Sequence, residues 1–251
     1  MTILYFFFFF LVGVGAGFYF NVIGKRLPNG EDVFNPEKCE HCGYEFHWYE
    51  NIPLISFFKE SGRCPKCHDK LDFVPILNEL FTGFLFLLSY VVFGIDYDLF
   101  IALGIVSLLM IIVITDLNYY IIPDEILVFF NFYFMIVLFF QLGFNGFIGR
   151  LLSGIFLFGV MYFVMFLGDV IFKKESLGGG DVKMMFTFGL VLGPVIGLFS
   201  IFVSSFIALP VSILILSLNK DNLIPFGPFL LISLLLLFFM QIDTSMLFHL
   251  M

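Results

Sequence analysis

The amino-acid sequence predicts an all-α membrane protein, a polytopic bundle of about eight transmembrane helices interrupted by one polar loop. Of its 251 residues, 61% are hydrophobic and 13% are charged, and the mean hydropathy is +1.06. An average soluble domain has an apolar share of only about half. Apolar runs long enough to cross about 30 Å of hydrocarbon recur along the chain. The net charge of -8 argues against a nucleic-acid partner, which would need a basic face.

The first apolar run, Ile3 to Ile23, predicts the first transmembrane helix. Lys25 and Arg26 follow this run, whereas a cleavable signal peptide carries its basic residues in front. The positive-inside rule therefore places the N-terminus outside and the next loop in the cytoplasm. Gly13 and Gly17 lie four positions apart, which predicts a small-residue face where another helix packs closely.

A polar loop from Gly24 to about Pro75 follows the first helix. It holds seven of the twelve basic residues, which are Lys25, Arg26, Lys38, Lys59, Arg63, Lys66 and Lys70. It also contains the only Trp and all four Cys of the chain. The excess of positive charge predicts that this loop is cytoplasmic.

Two C-x-x-C pairs in this loop, Cys39 with Cys42 and Cys64 with Cys67, are candidate metal ligands. Four sulfur ligands in two pairs about twenty residues apart suit the tetrahedral geometry of zinc. Four reduced thiols or two disulfides are the alternative, and the reducing cytoplasm disfavours disulfides. Because the protein fills all four positions, we expect a structural zinc whose binding supplies folding energy to the loop.

His41 and His68 lie inside or beside the cysteine pairs. Either imidazole is an alternative ligand to one of the cysteines, but each pair is already supplied with sulfur. We therefore expect the four cysteines to form the complete ligand set.

The remaining apolar runs predict the other crossings, with both chain termini outside. The predicted crossings are Ile76 to Gly94, Leu99 to Thr115, Asp124 to Leu142, Leu151 to Phe172, Val195 to Leu218 and Phe229 to Gln241. Gly143 to Gly149 is predicted to be an outer turn. Arg150 follows it on the outer side, where the positive-inside rule does not expect a basic residue. Met184 to Leu192 is too short to span, so Gly193-Pro194 marks either the end of a half helix or a kink. The segment Ile224 to Phe229 is expected near Asp116 and Asp181 on the same membrane face, with an ordinary helix-breaking turn as the alternative.

Two acids end on the same membrane face when the crossings are counted. Asp116 ends one apolar run, and Asp181 follows three glycines, Gly178 to Gly180. An ionisable group at the edge of the bilayer is costly without a partner, so it is a candidate functional residue. The glycines allow another segment to approach closely. We therefore expect Asp116 and Asp181 to meet, with Lys183 marking the cytoplasmic side.

Two neighbouring carboxylates share one proton, so that one activates water as a base and the other polarises a carbonyl as an acid. This is the chemistry of aspartic peptide hydrolysis. The chain has no G-x-S-x-G, H-E-x-x-H or P-loop pattern to support another hydrolytic mechanism. The alternative for Asp116 is a simple helix-end acid at the interface. Asp124 and Asp169 are the competing acids, and we expect structural roles for both.

Several stretches of the chain resemble the prepilin peptidases, or type IV leader peptidases, a family of membrane aspartic proteases. The segment Glu175 to Lys183, with Gly178-Gly179-Gly180-Asp181 inside it, resembles their extended G-x-G-D signature. Asp116-Leu117 followed by Ile122-Pro123-Asp124 is similar to their first catalytic aspartate segment. Further similar stretches are Phe20 to Pro28, Trp48 to Leu54 and Ile224 to Phe229. The motifs occur in the family's order along nearly the whole chain, although Gly24-Lys25 departs from the larger residue that is common before the family's Arg.

The resemblance implies that Asp116 and Asp181 are catalytic, with Gly178, Gly180 and Lys183 as supporting motif residues. It implies cleavage of the short basic leader from type IV pilin or pseudopilin precursors at the cytoplasmic face of a prokaryotic inner membrane. It also implies N-methylation of the new N-terminus with S-adenosylmethionine, because the cysteine-bearing loop accompanies the forms with two activities. No glycine-rich nucleotide-binding motif is present in the loop, so the methyl-donor site stays unassigned.

The expected organisation has three parts. Residues 1–23 form the first transmembrane helix, residues 24–75 form the zinc-binding loop with the methyltransferase region, and residues 76–251 form the membrane-embedded peptidase.

Two other functions are compatible with parts of the pattern. A presenilin-like intramembrane protease shares the G-x-G-D acid, but its first motif is Tyr-Asp, whereas this chain has Thr115-Asp116. A transporter with the zinc loop as a gate predicts acids near the bilayer centre and an internal repeat, and the sequence offers neither.

Overall fold

The computed structural model describes residues 2–35, 39, 41–46, 63–70, 72–173, 177–218 and 225–241. The α-helices in these ranges are α1 (Thr2–Arg26), α2 (Val74–Phe93), α3 (Tyr97–Tyr119), α4 (Asp124–Phe172), α5 (Gly179–Leu192), α6 (Pro194–Leu218) and α7 (Gly227–Phe239). A short 3-10 helix, Leu27–Asn29, follows α1. The same ranges contain no β-sheet strand, only isolated bridging residues, so the all-α prediction is confirmed for them.

Five helices, α1 to α4 and α6, are long and apolar enough to cross a membrane, and α7 is a shorter apolar helix. The prediction that this is a membrane protein is therefore confirmed. The predicted count of eight transmembrane helices is not reproduced by the described part of the chain. Two of the predicted crossings, Asp124 to Leu142 and Leu151 to Phe172, follow each other in α4 across a break at Gly143, and α5 is too short to be a candidate span.

The chain divides into two compact units, Met1–Val91 and Val92–Met251. In the first unit, α1 and α2 pack closely through glycine. A Cβ built on Gly13 would lie 2.7 Å from the Gly83 Cα, and one on Gly17 would lie 2.8 Å from the Glu79 Cα. The predicted small-residue face of α1 is therefore confirmed.

In the second unit, α3 forms the core. Its interior residues include Ala102, Ile105 and Ile112, each 0% exposed. It packs against α4 and α7, whereas α5 packs mainly along α4. The helix ends at Tyr120, which has a left-handed φ of 56° and donates its N–H to the Asp116 carbonyl at 3.0 Å. The core helix therefore delivers Asp116 in its last turn.

α4 covers 49 residues but consists of two helices joined by a break at Gly143. Both halves contact α5, since Asn131 before the break accepts a hydrogen bond from Thr187 and Gly154 after it packs against Phe186. The predicted outer turn over Gly143 to Gly149 is wrong in extent, because only Gly143 has non-helical dihedrals, with φ 65° and ψ -178°. The φ value lies in the left-handed region that glycine adopts without a steric penalty. The helix therefore breaks at a single residue and not over the seven-residue turn that the sequence predicted.

The helix α5 settles the alternatives that the sequence left open for Met184 to Leu192. Gly193, with φ 81° and ψ -179°, ends α5, and α6 begins at Pro194. The segment is therefore a separate half-length helix of 14 residues, not part of a kinked span. Its glycine, Gly189, packs against the α4 backbone, since a Cβ there would lie 2.5 Å from the Gly154 Cα.

Candidate active site and metal centre

Asp116 lies in the last turn of α3 and is only 6% exposed. Its carboxylate accepts a hydrogen bond from the backbone N–H of Gly227, the first residue of α7. Pro228 occupies one of the first positions of that helix, where the missing N–H costs nothing. The positive end of the α7 dipole is therefore directed at Asp116.

Asp181 lies in the first turn of α5, immediately after the glycines. Its backbone N–H donates to the Gly178 carbonyl at 3.1 Å. Its Oδ1 atom is buried and has no hydrogen-bond partner among the described residues. Burial and the negative charge of nearby Asp116 together raise the pKa of Asp181 to about 7. The structure therefore brings the two predicted acids close enough to interact electrostatically.

Ile122, in the connection between α3 and α4, lies between the starts of two helices. A Cβ on Gly180 would lie 2.8 Å from the Ile122 Cβ. A Cβ on Gly227 would lie 3.1 Å from the Ile122 Cδ1 and 2.8 Å from the Asp116 Oδ2. Only glycine at these two positions allows α5 and α7 to reach the end of α3, so the two acids come together.

The first two glycines of the signature differ in their surroundings. A Cβ on Gly178 would lie 3.2 Å from the Asp181 Oδ2, whereas one on Gly179 would meet nothing within 4 Å. This agrees with a G-x-G-D pattern in which the middle position is free to vary.

The other predicted motif residues do not join the pair of acids. The Lys183 Nζ donates to both carboxylate oxygens of Asp124 at 2.7 Å, on the exposed surface. Asp169 lies near the end of α4, where its backbone carbonyl accepts the N–H of Lys173 at 2.9 Å. Asp124 is therefore engaged by Lys183, as the expectation of a structural role requires.

The sequence interpretation missed the part played by Gly227 and Ile122. The segment around Gly227 was expected near the acids, with a helix-breaking turn as the alternative, but the sequence did not show that its glycine contacts Asp116. The available signal was a glycine followed by Pro228 at the start of an apolar helix on the same membrane face as the acids. Ile224, Lys174 to Ser176 and Trp48 to Leu54, which carry parts of the resemblance, lie outside the described residues.

The four loop cysteines form one cluster in which all sulfur atoms lie within 4.8 Å of one another. The Sγ atoms of Cys39 and Cys67 are 3.7 Å apart, as are those of Cys42 and Cys64. A zinc tetrahedron with Zn–S bonds of about 2.3 Å has S···S edges of about 3.8 Å, whereas a disulfide bond is about 2.05 Å long. The spacing therefore fits zinc ligands and not disulfides, and all four cysteines are free thiols.

The two cysteine pairs adopt the same backbone turn. The Cys39 carbonyl accepts from the Gly43 N–H and the Cys64 carbonyl from the His68 N–H, both at 2.9 Å. Gly43 and His68 have matching left-handed φ values of 66° and 58°. Such turns direct the amides of the loop towards sulfur, which favours thiolate ligands.

His41 is engaged outside the sulfur cluster, because its Nε2 lies 3.0 Å from the Asp69 Oδ2. The backbone amides of Cys42 and His41 lower the pKa of the Cys39 thiol to about 6. A thiolate is the form that binds a metal. The described loop residues therefore supply a complete set of four sulfur ligands without a histidine.

Two family descriptions match most of the chain. Residues 11–93 match the bacterial peptidase A24 N-terminal domain. Residues 103–213 match the type IV leader peptidase family. No solved structure is significantly similar to the chain.

Curated relatives that are named prepilin leader peptidase/N-methyltransferase are similar to the chain. The protein from Bacillus subtilis is 30% identical over 200 residues, which cover 77% of this chain and 74% of the relative. The protein from Vibrio cholerae is 25% identical over 255 residues, covering 95% and 98%. The protein from Myxococcus xanthus is 33% identical over 183 residues, which cover 72% of this chain but only 54% of that relative.

Proposed function

The chain belongs to the type IV leader peptidase family, and we propose that Asp116 and Asp181 remove the leader peptide from type IV prepilin or pseudopilin precursors. The observation that carries the proposal is the approach of these two carboxyl groups, made possible by glycine at 180 and 227. The curated relatives named prepilin leader peptidase/N-methyltransferase support the same activity.

The surroundings of the two acids favour different roles. Asp116 accepts the Gly227 N–H, which orients its carboxylate as the general base. Asp181 has a buried Oδ1 without a partner among the described residues, which favours its protonated form as the acid. Asp116 takes a proton from water as the water oxygen attacks the scissile carbonyl, and Asp181 donates its proton to the carbonyl oxygen. The gem-diol intermediate then breaks its C–N bond as Asp116 gives the proton taken from water to the leaving amine and Asp181 takes a proton back from a hydroxyl of the intermediate.

The glycines before Asp181 provide space for an extended substrate. A Cβ on Gly179 would meet nothing within 4 Å, so the backbone beside the acid is open. The first N–H groups of a helix have no partner within it, so those at the start of α5 can donate to the carbonyls of an extended peptide. We expect the leader boundary of the precursor to lie there during cleavage.

The proposed location is the inner membrane of a prokaryote, with both termini outside and the acids facing the cytoplasm. Lys173 and Lys183 lie at the ends of helices close to Asp181 in the sequence. The positive-inside rule therefore supports a cytoplasmic position for this end of the bundle.

A second activity, N-methylation of the new N-terminus, is supported by the names of the relatives. We assign it to the region of residues 24–75, with S-adenosylmethionine as the methyl donor. Cys39, Cys42, Cys64 and Cys67 would hold a structural zinc there, and the bound ion supplies folding energy to a small loop. The peptidase would occupy residues 76–251.

The experiment that tests the proposal uses purified full-length protein, a synthetic prepilin precursor and S-adenosylmethionine. The product is analysed by mass spectrometry and N-terminal sequencing, which report the cut position and the added methyl group together. We expect a single cut at the leader boundary and one methyl group on the new amine. Cleavage inside the membrane-spanning part of the precursor would instead favour a presenilin-like protease.

A further inference from the structure

Arg150 lies at the C-terminal end of α5, the helix that carries Asp181 in its first turn. The helix α5 has 14 residues and is therefore only about 21 Å long, so its carboxyl end stops short of the opposite membrane surface. Backbone carbonyls at a helix end that are left without donors in hydrocarbon cost several kcal/mol each. The Arg150 Nη1 donates to the Val191 carbonyl at 3.0 Å, in the last turn of α5.

Arg150 lines a cavity of about 710 Å³ that contains polar groups among apolar side chains. Asp98, Ser153 and Gln241 line the same cavity. Asp98 is held in place by the Gln141 Nε2, which donates to its Oδ1 at 2.7 Å. Arg150 is the basic residue that departs from the positive-inside rule, and this arrangement accounts for its position.

α5 packs closely against α4 through glycine. A Cβ on Gly189 would lie 2.5 Å from the Gly154 Cα, and one on Gly154 would lie 3.1 Å from the Phe186 ring. Hydrogen bonds add to this packing contact in fixing the position of α5 along α4. They include Thr187 Oγ1 to Asn131 Oδ1 at 2.7 Å, and Arg150 to the Val191 carbonyl.

We infer that Arg150 is a positioning residue, which fixes the height of α5 and thereby the position of Asp181 opposite Asp116. Val191 and Asp181 are about 15 Å apart along one continuous helix, so a shift at one end moves the other. A misplacement of about 1 Å in a catalytic group can cost about 100-fold in rate. The inference rests on the proposed function, in which Asp181 is catalytic.

Gly193 lies beside the contact between Arg150 and the end of α5, and its geometry supports this role. Its φ of 81° ends α5, and a Cβ there would lie 3.0 Å from the Arg150 Nη1. A side chain at this position would push on the guanidinium. Gly193→Ala therefore disturbs the same contact while Arg150 is kept, and it gives a second, independent variant.

The test measures kcat, KM and the pH dependence of cleavage for purified full-length variants. We expect Arg150→Met to lower kcat by about 10- to 100-fold with little change in KM. Two acids held farther apart repel less, so the loss of activity at high pH should begin at a lower pH. Arg150→Lys retains one donor for the Val191 carbonyl and should recover most of the activity. Gly193→Ala should reproduce the kinetics of Arg150→Met.

The matched control is Ser153→Ala, in the same helix and lining the same cavity. The Ser153 hydroxyl donates to the Gly149 carbonyl within α4, so its loss should leave kcat and the pH profile unchanged.

Two outcomes would overturn the inference. One is a wild-type kcat in both Arg150→Met and Gly193→Ala. The other is a fall in kcat with an unchanged pH profile and no recovery in Arg150→Lys, which would mean a general loss of structure. Asp181→Asn is measured in parallel. If it cleaves normally, the proposed function fails. If it is inactive while Arg150→Met is normal, only the positioning role fails.

Discussion

Gly227, the first residue of α7, lies against the Asp116 carboxylate and donates its backbone N–H to it. A Cβ on Gly227 would lie 2.8 Å from the Asp116 Oδ2, closer than real side chains approach. Glycine at this position therefore lets α7 approach Asp116 closely, and its backbone N–H is a donor that orients the carboxylate.

Gly227→Ala should lower leader cleavage by about 10- to 100-fold, because the added methyl group displaces Asp116 from its partner. The measurement is kcat for the purified variant on a precursor peptide. Gly159→Ala is the control, since a Cβ at that glycine of α4 would meet nothing within 4 Å. Equal activity in the two variants would contradict a role for the Gly227 contact.

The glycines of the signature should differ in their tolerance of a methyl group. Gly180→Ala should reduce cleavage strongly, because a Cβ there would lie 2.8 Å from the Ile122 Cβ and would push α5 away. Gly179→Ala faces open space and should stay within about threefold of wild type by the same geometric argument. Both variants are assayed with the same precursor. A stronger defect in Gly179→Ala than in Gly180→Ala would show that contact with the substrate, and not the approach of α5 to Ile122, determines the effect of these glycines on cleavage.

The two acids and the four cysteines were predictable from the sequence. Counting crossings put Asp116 and Asp181 on one membrane face, and the approach of the two side chains agrees with that count. The C-x-x-C spacing predicted a cluster of four sulfur atoms, and the described cysteines form one. In both cases the signal lies in residue type and spacing, which a sequence displays directly.

The extent of the break in α4 and the contact made by Gly227 were not predictable. Gly143 to Gly149 has the composition of a turn, but all of it except Gly143 is in helical conformation. The importance of Gly227 depends on which atom lies opposite it, and that atom belongs to a helix more than a hundred positions away in the chain. Local composition carries no information about such a contact.

Loss of one zinc ligand should separate the two activities. Cys64→Ser removes a fully buried sulfur, so we expect it to lower the zinc content from about one ion per chain and to abolish methylation. Cleavage should continue, because Asp116 and Asp181 lie in the other compact unit. Metal analysis and product mass spectrometry provide the two measurements.

The control for the zinc prediction is His41→Ala, which should retain the metal because His41 pairs with Asp69. Wild-type protein prepared without chelator that contains no zinc, and whose four thiols all react freely, would contradict the metal site.

Cleavage should decrease as the pH rises through about 7. Burial and the Asp116 charge raise the pKa of Asp181 to about 7, so the proton that the pair shares is present below this pH and lost above it. The folded pKa exceeds the unfolded value of 3.8, so the stability from this group is complete below about pH 4 and lost as the pH rises through about 7.

A pH–rate profile and thermal unfolding of wild type and Asp181→Asn test the prediction about pH together. The stability of the variant relative to wild type should rise with pH. A cleavage rate that is constant from about one pH unit below the expected transition to about two units above it would exclude a shared proton with this pKa.

The most direct test of the account compares three carboxyl-to-amide variants, Asp116→Asn, Asp181→Asn and Asp124→Asn, by sequencing the N-terminus of the processed precursor. The first two should insert and fold normally but lose leader cleavage, while still methylating a mature peptide that is supplied already cut. Asp124→Asn changes only an exposed ion pair with Lys183 and should process the precursor to within a few-fold of wild type. Full processing by either Asp116→Asn or Asp181→Asn would contradict the assignment of the two acids as the catalytic pair.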